Sequence, residues 1–232
     1  MPQRLTDRPL SSTAGAALFD LDGTLLDSEN FHFESTAEVL ARRGIALSSA
    51  DFDLYAGWEE LATWTHINQR FGVADDPLQL ASERTEAFVA LLTRRRPKLL
   101  PGVTEILLWL SQRGLPLAVA SSLPRAQIEA ALDSAGLTKF FAVRKSGHDD
   151  VALGKGKPCP DVYIAAAAAL GLDADACVAF EDSIVGLRSA RAAGCYVIAV
   201  TSTLPATVGE GLADCVCSTM TDALEFLRTS IK

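Results

Sequence analysis

Three textures of apolar and polar residues succeed one another along the chain. Residues 16–21 (AALFDL) form a short apolar run that ends in acidic residues and Gly-Thr, the pattern of a buried strand delivering polar groups at its carboxyl end. From residue 30 to about residue 96 apolar positions recur at helical spacing. They predict helices over 31–43, 60–71 and 78–95, punctuated by Gly44, Gly57, Gly72 and Pro77, with no strand between them. After Pro101-Gly102 apolar runs at 117–120, 140–143, 177–181, 196–200 and 214–217 alternate with helical stretches at 104–113, 125–134, 161–170, 183–193 and 221–229. Residues 1–13 show no such period and read as a loose tail.

Repeated strand-helix units imply an α/β fold, a Rossmann-like parallel sheet with helices on both faces. The strand near Ala16 belongs to that sheet, because one strand alone can neither pair its backbone groups nor bury its faces. The helical block is then an insertion. The expected division is a catalytic core of residues 1–26 and 98–232 and an all-helical cap domain of residues 27–97, joined by two crossings that would let the cap open and close.

Composition narrows the functional classes. A chain of 232 residues, 49% hydrophobic, can bury a substantial core. It has no run of the roughly 20 apolar residues that cross a bilayer, and MPQRLTDRPL lacks a secretory apolar stretch, so the expectation is a cytoplasmic protein. A net charge of −8 disfavours nucleic acid and anionic membranes as partners. An anionic substrate would then need a local attractor such as a bound cation. The five cysteines are odd in number and mostly sit in apolar runs, which suits buried reduced thiols. Cys215 and Cys217 could share a strand face, but no Cys or His stands at zinc-ligand spacing from them.

The chemistry concentrates in Phe19-Asp20-Leu21-Asp22-Gly23-Thr24-Leu25-Leu26-Asp27-Ser28-Glu29. Two carboxylates about 4 Å apart at a strand end repel by about 4 kcal/mol at an effective dielectric of 20, which favours a cation between them. A hard ion such as magnesium takes oxygen ligands and keeps places for water and substrate phosphate. Glu181-Asp182, at the end of another apolar run, supplies further carboxylate. The plainer alternative makes Asp20 and Asp22 the start of a solvated turn and Glu181-Asp182 a helix cap.

The D-x-D-G-T-L-L-D-S-E stretch resembles the first signature of haloacid dehalogenase superfamily phosphatases, and three further signatures follow in family order. Ser121 resembles the second, Lys157 in Gly156-Lys157-Pro158-Cys159-Pro160-Asp161 the third, and Glu181-Asp182-Ser183 with Gly186 the fourth. The resemblance, which spans residues 16–200, implies that Asp20 attacks phosphorus and becomes an aspartyl phosphate, with Asp22 as general acid and then base. It implies Mg2+ on the Asp20 and Asp182 carboxylates and the Asp22 backbone carbonyl, with Glu181 as a ligand or one step removed. Ser121 and Lys157 would hold the phosphoryl oxygens. Gly23, Thr24, Ser122, His32 and Trp58 complete the expected substrate contacts. For His32 a structural hydrogen-bonding role is the alternative, and for Trp58 and Trp64 packing of the cap.

The expected activity is a magnesium-dependent phosphatase acting on a small phosphorylated metabolite. Two alternatives stand beside it: a sugar-phosphate mutase of the β-phosphoglucomutase type, and a non-catalytic binding protein on the same fold. Where the mutases carry an arginine three residues beyond a cap-loop glycine, this chain has Gly57 followed by Trp58-Glu59-Glu60, although Arg70 or Arg84 could substitute. Thr24 also resembles the phosphatases. The dehalogenases lack an equivalent of Asp22, and nothing in the sequence points to an obligate protein partner.

Overall fold

The computed structural model describes residues 2–10, 14–55, 58–201, 209 and 211–230. In chain order the elements are β1 Gln3–Arg4, β2 Ala16–Phe19, β3 Leu26–Asp27, α1 Glu29–Ala41, α2 Ser49–Asp53, α3 Glu60–Phe71, α4 Pro77–Arg94, β4 Lys98–Leu99 and α5 Val103–Gln112. They continue with β5 Leu117–Ser121, α6 Arg125–Ala135, β6 Val143–Ser146, α7 Asp161–Ala169, β7 Cys177–Glu181, α8 Ile184–Ala192, β8 Tyr196–Val200, β9 Cys215–Cys217 and α9 Met220–Ser230. Two compact units result, Met1–Asp27 with Lys98–Lys232, and Ser28–Pro97.

The first unit is a seven-stranded sheet in the order β1-β9-β8-β7-β2-β5-β6, flanked by helices. All pairings are parallel except β1 against β9. Every residue of β2, β5, β7 and β8 is buried, which is why these strands read as continuous apolar runs rather than alternating ones. Ala16, Leu18, Ala118, Ala120, Ala179 and Val197 pack one face against Val162, Tyr163 and Ala166 of α7 and Leu187 and Ala190 of α8. Phe19 stacks on Phe180 at 4.5 Å and meets Phe141 edge to face at 5.9 Å.

The sequence reading errs at the two sheet edges. The apolar run 140–143 is not a strand: Thr138–Phe140 is a 3-10 turn, and β6 begins at Val143. Phe141 is buried because it packs on Phe19, so its hydrophobicity reports a core contact rather than strand pairing. The expected loose tail contains β1, which pairs Gln3 with Val216 and Arg4 with Cys215. Contacts to side chains fix that edge: the Arg4 guanidinium lies over the Phe226 ring, and Thr6 Oγ1 donates to Asp214 Oδ1 at 2.8 Å.

The second unit consists of α1 to α4, with Val39, Leu40, Tyr55, Trp64, Ile67 and Leu80 at its centre. Its helices stop and start on local signals. The Glu59 carboxylate caps α3 by accepting Ala62 N–H, Gly72 ends that helix at φ 70°, and Asp76 caps α4 ahead of Pro77. Arg43 forks between Asp75 at 3.0 Å and Glu83 at 2.9 Å. Gly57 lies outside the described residues.

Candidate active site

The parallel register brings the site together. Phe19 pairs with Val119 of β5 and with Phe180 of β7, so the residues that follow these positions, Asp20, Ser121, Glu181 and Asp182, emerge at one sheet edge. Because β2 is flanked by strands that come later on both sides, this edge is a topological switch point, where open parallel sheets bind ligands. Asp20 extends the ladder by donating its N–H to Phe180 O at 3.0 Å.

Carboxylate oxygens of Asp20, Glu181 and Asp182 lie within 4.8 Å of one another. The expected charge pair, Asp20 with Asp22, is joined by this closer gathering of acids, and Asp22 still adds to the negative field on Asp20. The chain turns at once after Asp20, with Leu25 and Leu26 both donating to Leu21 O, and the Asp22 carboxylate lies outside this group. Burial raises Asp20 well above its ordinary value; Lys157 opposes the shift, while Glu181, Asp182 and Asp22 add to it. Asp182 is pushed up to about 7, first by burial and then by Glu181. An all-oxygen set in which the ionised forms of Asp20 and Asp182 are disfavoured suits a hard divalent cation, whose charge would relieve that cost.

Lys157 is the counter-charge already present. Its ammonium donates to Asp20 Oδ1 at 2.6 Å and to Glu181 Oε1, with 2% of the side chain exposed. Burial works to lower its pKa, but Asp20 and Glu181 outweigh it and hold the group above its ordinary value. Glu181 is also bound by the Tyr163 hydroxyl at 2.8 Å, the Ser183 hydroxyl at 3.1 Å and two backbone N–H groups. Ser183 meanwhile caps α8 by accepting Gly186 N–H at 3.0 Å. The sequence reading missed Tyr163. It stands on the first turn of α7, six residues past Lys157, and that proximity was the available signal.

Two of the residues expected to contact substrate, Thr24 and Gly23, also make contacts inside the protein. Thr24 is fully buried and its hydroxyl donates to Asp182 Oδ1 at 3.2 Å, so it orients that carboxylate. Gly23, at φ 75°, donates its N–H to Leu26 O, and a Cβ there would lie 2.0 Å from Asp182 Oδ2. A side chain at this position would exclude Asp182 from the site. Ser121 is buried, its Oγ accepting Leu123 N–H at 3.2 Å and its carbonyl accepting Gly147 N–H at 2.7 Å. Ser122 beside it is exposed.

His32 and Trp58 belong to the helical unit. The His32 ring stacks on Phe88 at 4.7 Å and its Nδ1 meets an Arg84 nitrogen at 2.7 Å, which fits the structural alternative. Trp58 is 49% exposed, against Tyr55 and His66, whereas Trp64 is core. Arg84 also pairs with Glu60 at 2.7 Å. Cys215 and Cys217 share a strand face with sulfurs 3.9 Å apart, and they belong to no metal-ligating group among the described residues.

Comparison with known proteins places this geometry in a family context. The model of the haloacid dehalogenase-like hydrolases matches residues 15–194. Protein CbbY of Rhodobacter capsulatus is 37% identical over 79% of this chain and 83% of its own length. The fructose-1-phosphate phosphatase YqaB of Escherichia coli is 35% identical over 76% of this chain and 91% of its own. Among solved structures, CbbY from Rhodobacter sphaeroides in complex with xylulose-1,5-bisphosphate superposes with a TM-score of 0.76 at 26% identity. It covers 90% of this chain and 96% of that one.

Proposed function

The chain belongs to the haloacid dehalogenase-like hydrolases, and we propose that it is a magnesium-dependent phosphatase that cleaves a sugar phosphate or similar small phosphomonoester through an aspartyl phosphate on Asp20. The observation that carries this reading is Lys157 held at 2.6 Å on Asp20, beside two further buried carboxylates at the switch point of the sheet. That arrangement sets a cation directly against the nucleophilic carboxylate, where it opposes the protonation that burial and the neighbouring acids favour.

In this reading Asp20 attacks phosphorus, and Asp22 protonates the leaving oxygen and later takes a proton from the attacking water. Lys157 and the Ser121 hydroxyl hold the phosphoryl oxygens where negative charge builds in the transition state. Asp20, Asp182 and the Asp22 carbonyl would hold magnesium, which supplies charge neutralisation to the transferring group. Sugar-phosphate substrates are favoured because the relatives YqaB and CbbY are named for, or bound to, phosphorylated sugars.

The mutase alternative has less support. It needs a cation to hold a second phosphate. In the helical unit the residue at the corresponding position is Glu60, and the candidate substitute Arg84 is paired to it at 2.7 Å. The deciding experiment is a panel of phosphorylated metabolites with purified protein and magnesium. Free phosphate released from a monophosphate without a bisphosphate activator is the expected result. Isomerised sugar phosphate, formed faster than free phosphate, would establish the mutase instead.

A further inference from the structure

Glu181 is bound more completely than a metal ligand needs to be. Its Oε2 accepts Asp182 N–H and Ser183 N–H, each at 3.2 Å, and the Ser183 hydroxyl at 3.1 Å. Its Oε1 accepts the Tyr163 hydroxyl at 2.8 Å and the Lys157 ammonium. A carboxylate offers about four lone-pair sites, and five donors use them all. Nor can it swing away: it is fully buried, and it lies against Gly186 so closely that a Cβ there would come within 1.9 Å of Oε1.

Tyr163, also fully buried, touches this arrangement twice. Its hydroxyl takes the second position on the oxygen that Lys157 shares, and its ring centre lies 5.1 Å from the Lys157 ammonium nitrogen. We propose that Tyr163 is a positioning residue for phosphoryl transfer, acting through Glu181 to hold the Lys157 ammonium on Asp20. The proposal rests on the phosphatase reading, in which Lys157 holds a phosphoryl oxygen. The physical reason is competition between two carboxylates for one cation. A Glu181 Oε1 bonded only by lysine would draw the ammonium toward itself, away from Asp20. A hydroxyl that donates to the same oxygen withdraws part of its charge and occupies its remaining lone pair. The ring confines the ammonium from one side and favours the charged form. With two of the lysine's three donors placed on Asp20 and Glu181, the third is left for the phosphoryl group.

The test is Tyr163→Phe, which keeps the ring and removes the hydroxyl, assayed with magnesium on a phosphomonoester that wild type hydrolyses. The expected result is a kcat about 3- to 10-fold lower, the range of one lost hydrogen bond, with KM within about twofold. Inhibition by orthovanadate, a mimic of the transferring phosphoryl group, should weaken by a similar factor. In a Glu181→Gln background Tyr163→Phe should cost nothing further, since the tyrosine acts through that carboxylate. Wild-type kcat and vanadate inhibition, with only a lower melting midpoint, would show that the hydroxyl merely satisfies the core, and would overturn the proposal. So would losses that multiply in the double variant. Should Tyr163→Phe fail to fold, Glu181→Gln decides by a binding readout. Magnesium should raise its melting midpoint as much as that of wild type, and a lost rise would make Glu181 a metal ligand and overturn the proposal. A wild type that hydrolyses no phosphomonoester sinks the phosphatase reading together with the proposal, whereas an active wild type with an unaffected Tyr163→Phe sinks the proposal alone.

Discussion

Asp182 shows how a single side chain sets the conditions under which the site works. Its carboxyl sits at about 7 in the fold against 3.8 for an ordinary aspartate, so between those values the folded protein keeps a proton that the unfolded chain has released. Its contribution to stability is therefore fully present below the ordinary value and is lost as pH rises through about 7. Melting curves in chelator should show a midpoint that falls over this window in wild type, and that falls less in Asp182→Asn. At neutral pH without magnesium the variant should be no less stable than wild type, while excess magnesium should raise its midpoint less. An equal magnesium gain in both proteins would remove Asp182 from the metal site. Asp20→Asn should lower kcat on an aryl phosphate by about three orders of magnitude or more, because an amide neither attacks phosphorus nor carries the charge that Lys157 pairs with. Gly23→Ala should cost about 1–3 kcal/mol in urea unfolding and weaken magnesium binding together, since it strains a left-handed residue and displaces Asp182. At this scale the sequence shows which residue types gather, because acids at the ends of apolar runs are visible in it. It does not show their partners. The tasks of Thr24 and Tyr163, a hydroxyl on Asp182 and one on Glu181, depend on turns and helix phases that no local pattern encodes.

Among the elements, legibility follows burial. The fully buried strands β7 and β8 occupy the runs that hydrophobicity marks, and α3 has the bounds that its capping residue and terminal glycine dictate. Edge elements are lost for the complementary reason. A strand paired on one side, such as β6 with Arg144 and Lys145, needs no apolar run, and the two polar residues of β1 carry no period at all. The two-stranded pairing of Leu26 with Leu99 and Asp27 with Lys98 is similarly too short to detect. The central element is the one to probe. Phe19 is fully buried on β2, between Phe180 and Phe141, directly ahead of the nucleophile. Phe19→Ala should cost about 3–5 kcal/mol in urea unfolding. The folded fraction should also lose activity, because the cavity would loosen the strand end that aims Asp20. A loss below about 1 kcal/mol would mean that the site does not depend on this aromatic stack.

At the scale of the whole molecule the chain leaves the first unit at Asp27 and returns at Lys98, and these two residues face each other in antiparallel register. A two-residue Asn-Gly turn can close such a pair. Replacing residues 28–97 with that turn should give a protein that folds cooperatively and still gains stability from magnesium, since the carboxylates and Lys157 all lie in the remaining unit. A shortened chain that fails to melt cooperatively would show that the helical unit is required for the sheet to form. The same connectivity has a consequence for synthesis on the ribosome. Leu18, in the middle of the central strand, finds its neighbours in Ala118 and Ala179. At about 5–20 residues per second the first of those partners is translated some 5–20 s after Leu18 itself, and the helices between them emerge during the interval. The strand that carries the nucleophile is therefore made early and paired late, and it spends that interval as an unpaired apolar segment on the nascent chain, where chaperones would find it.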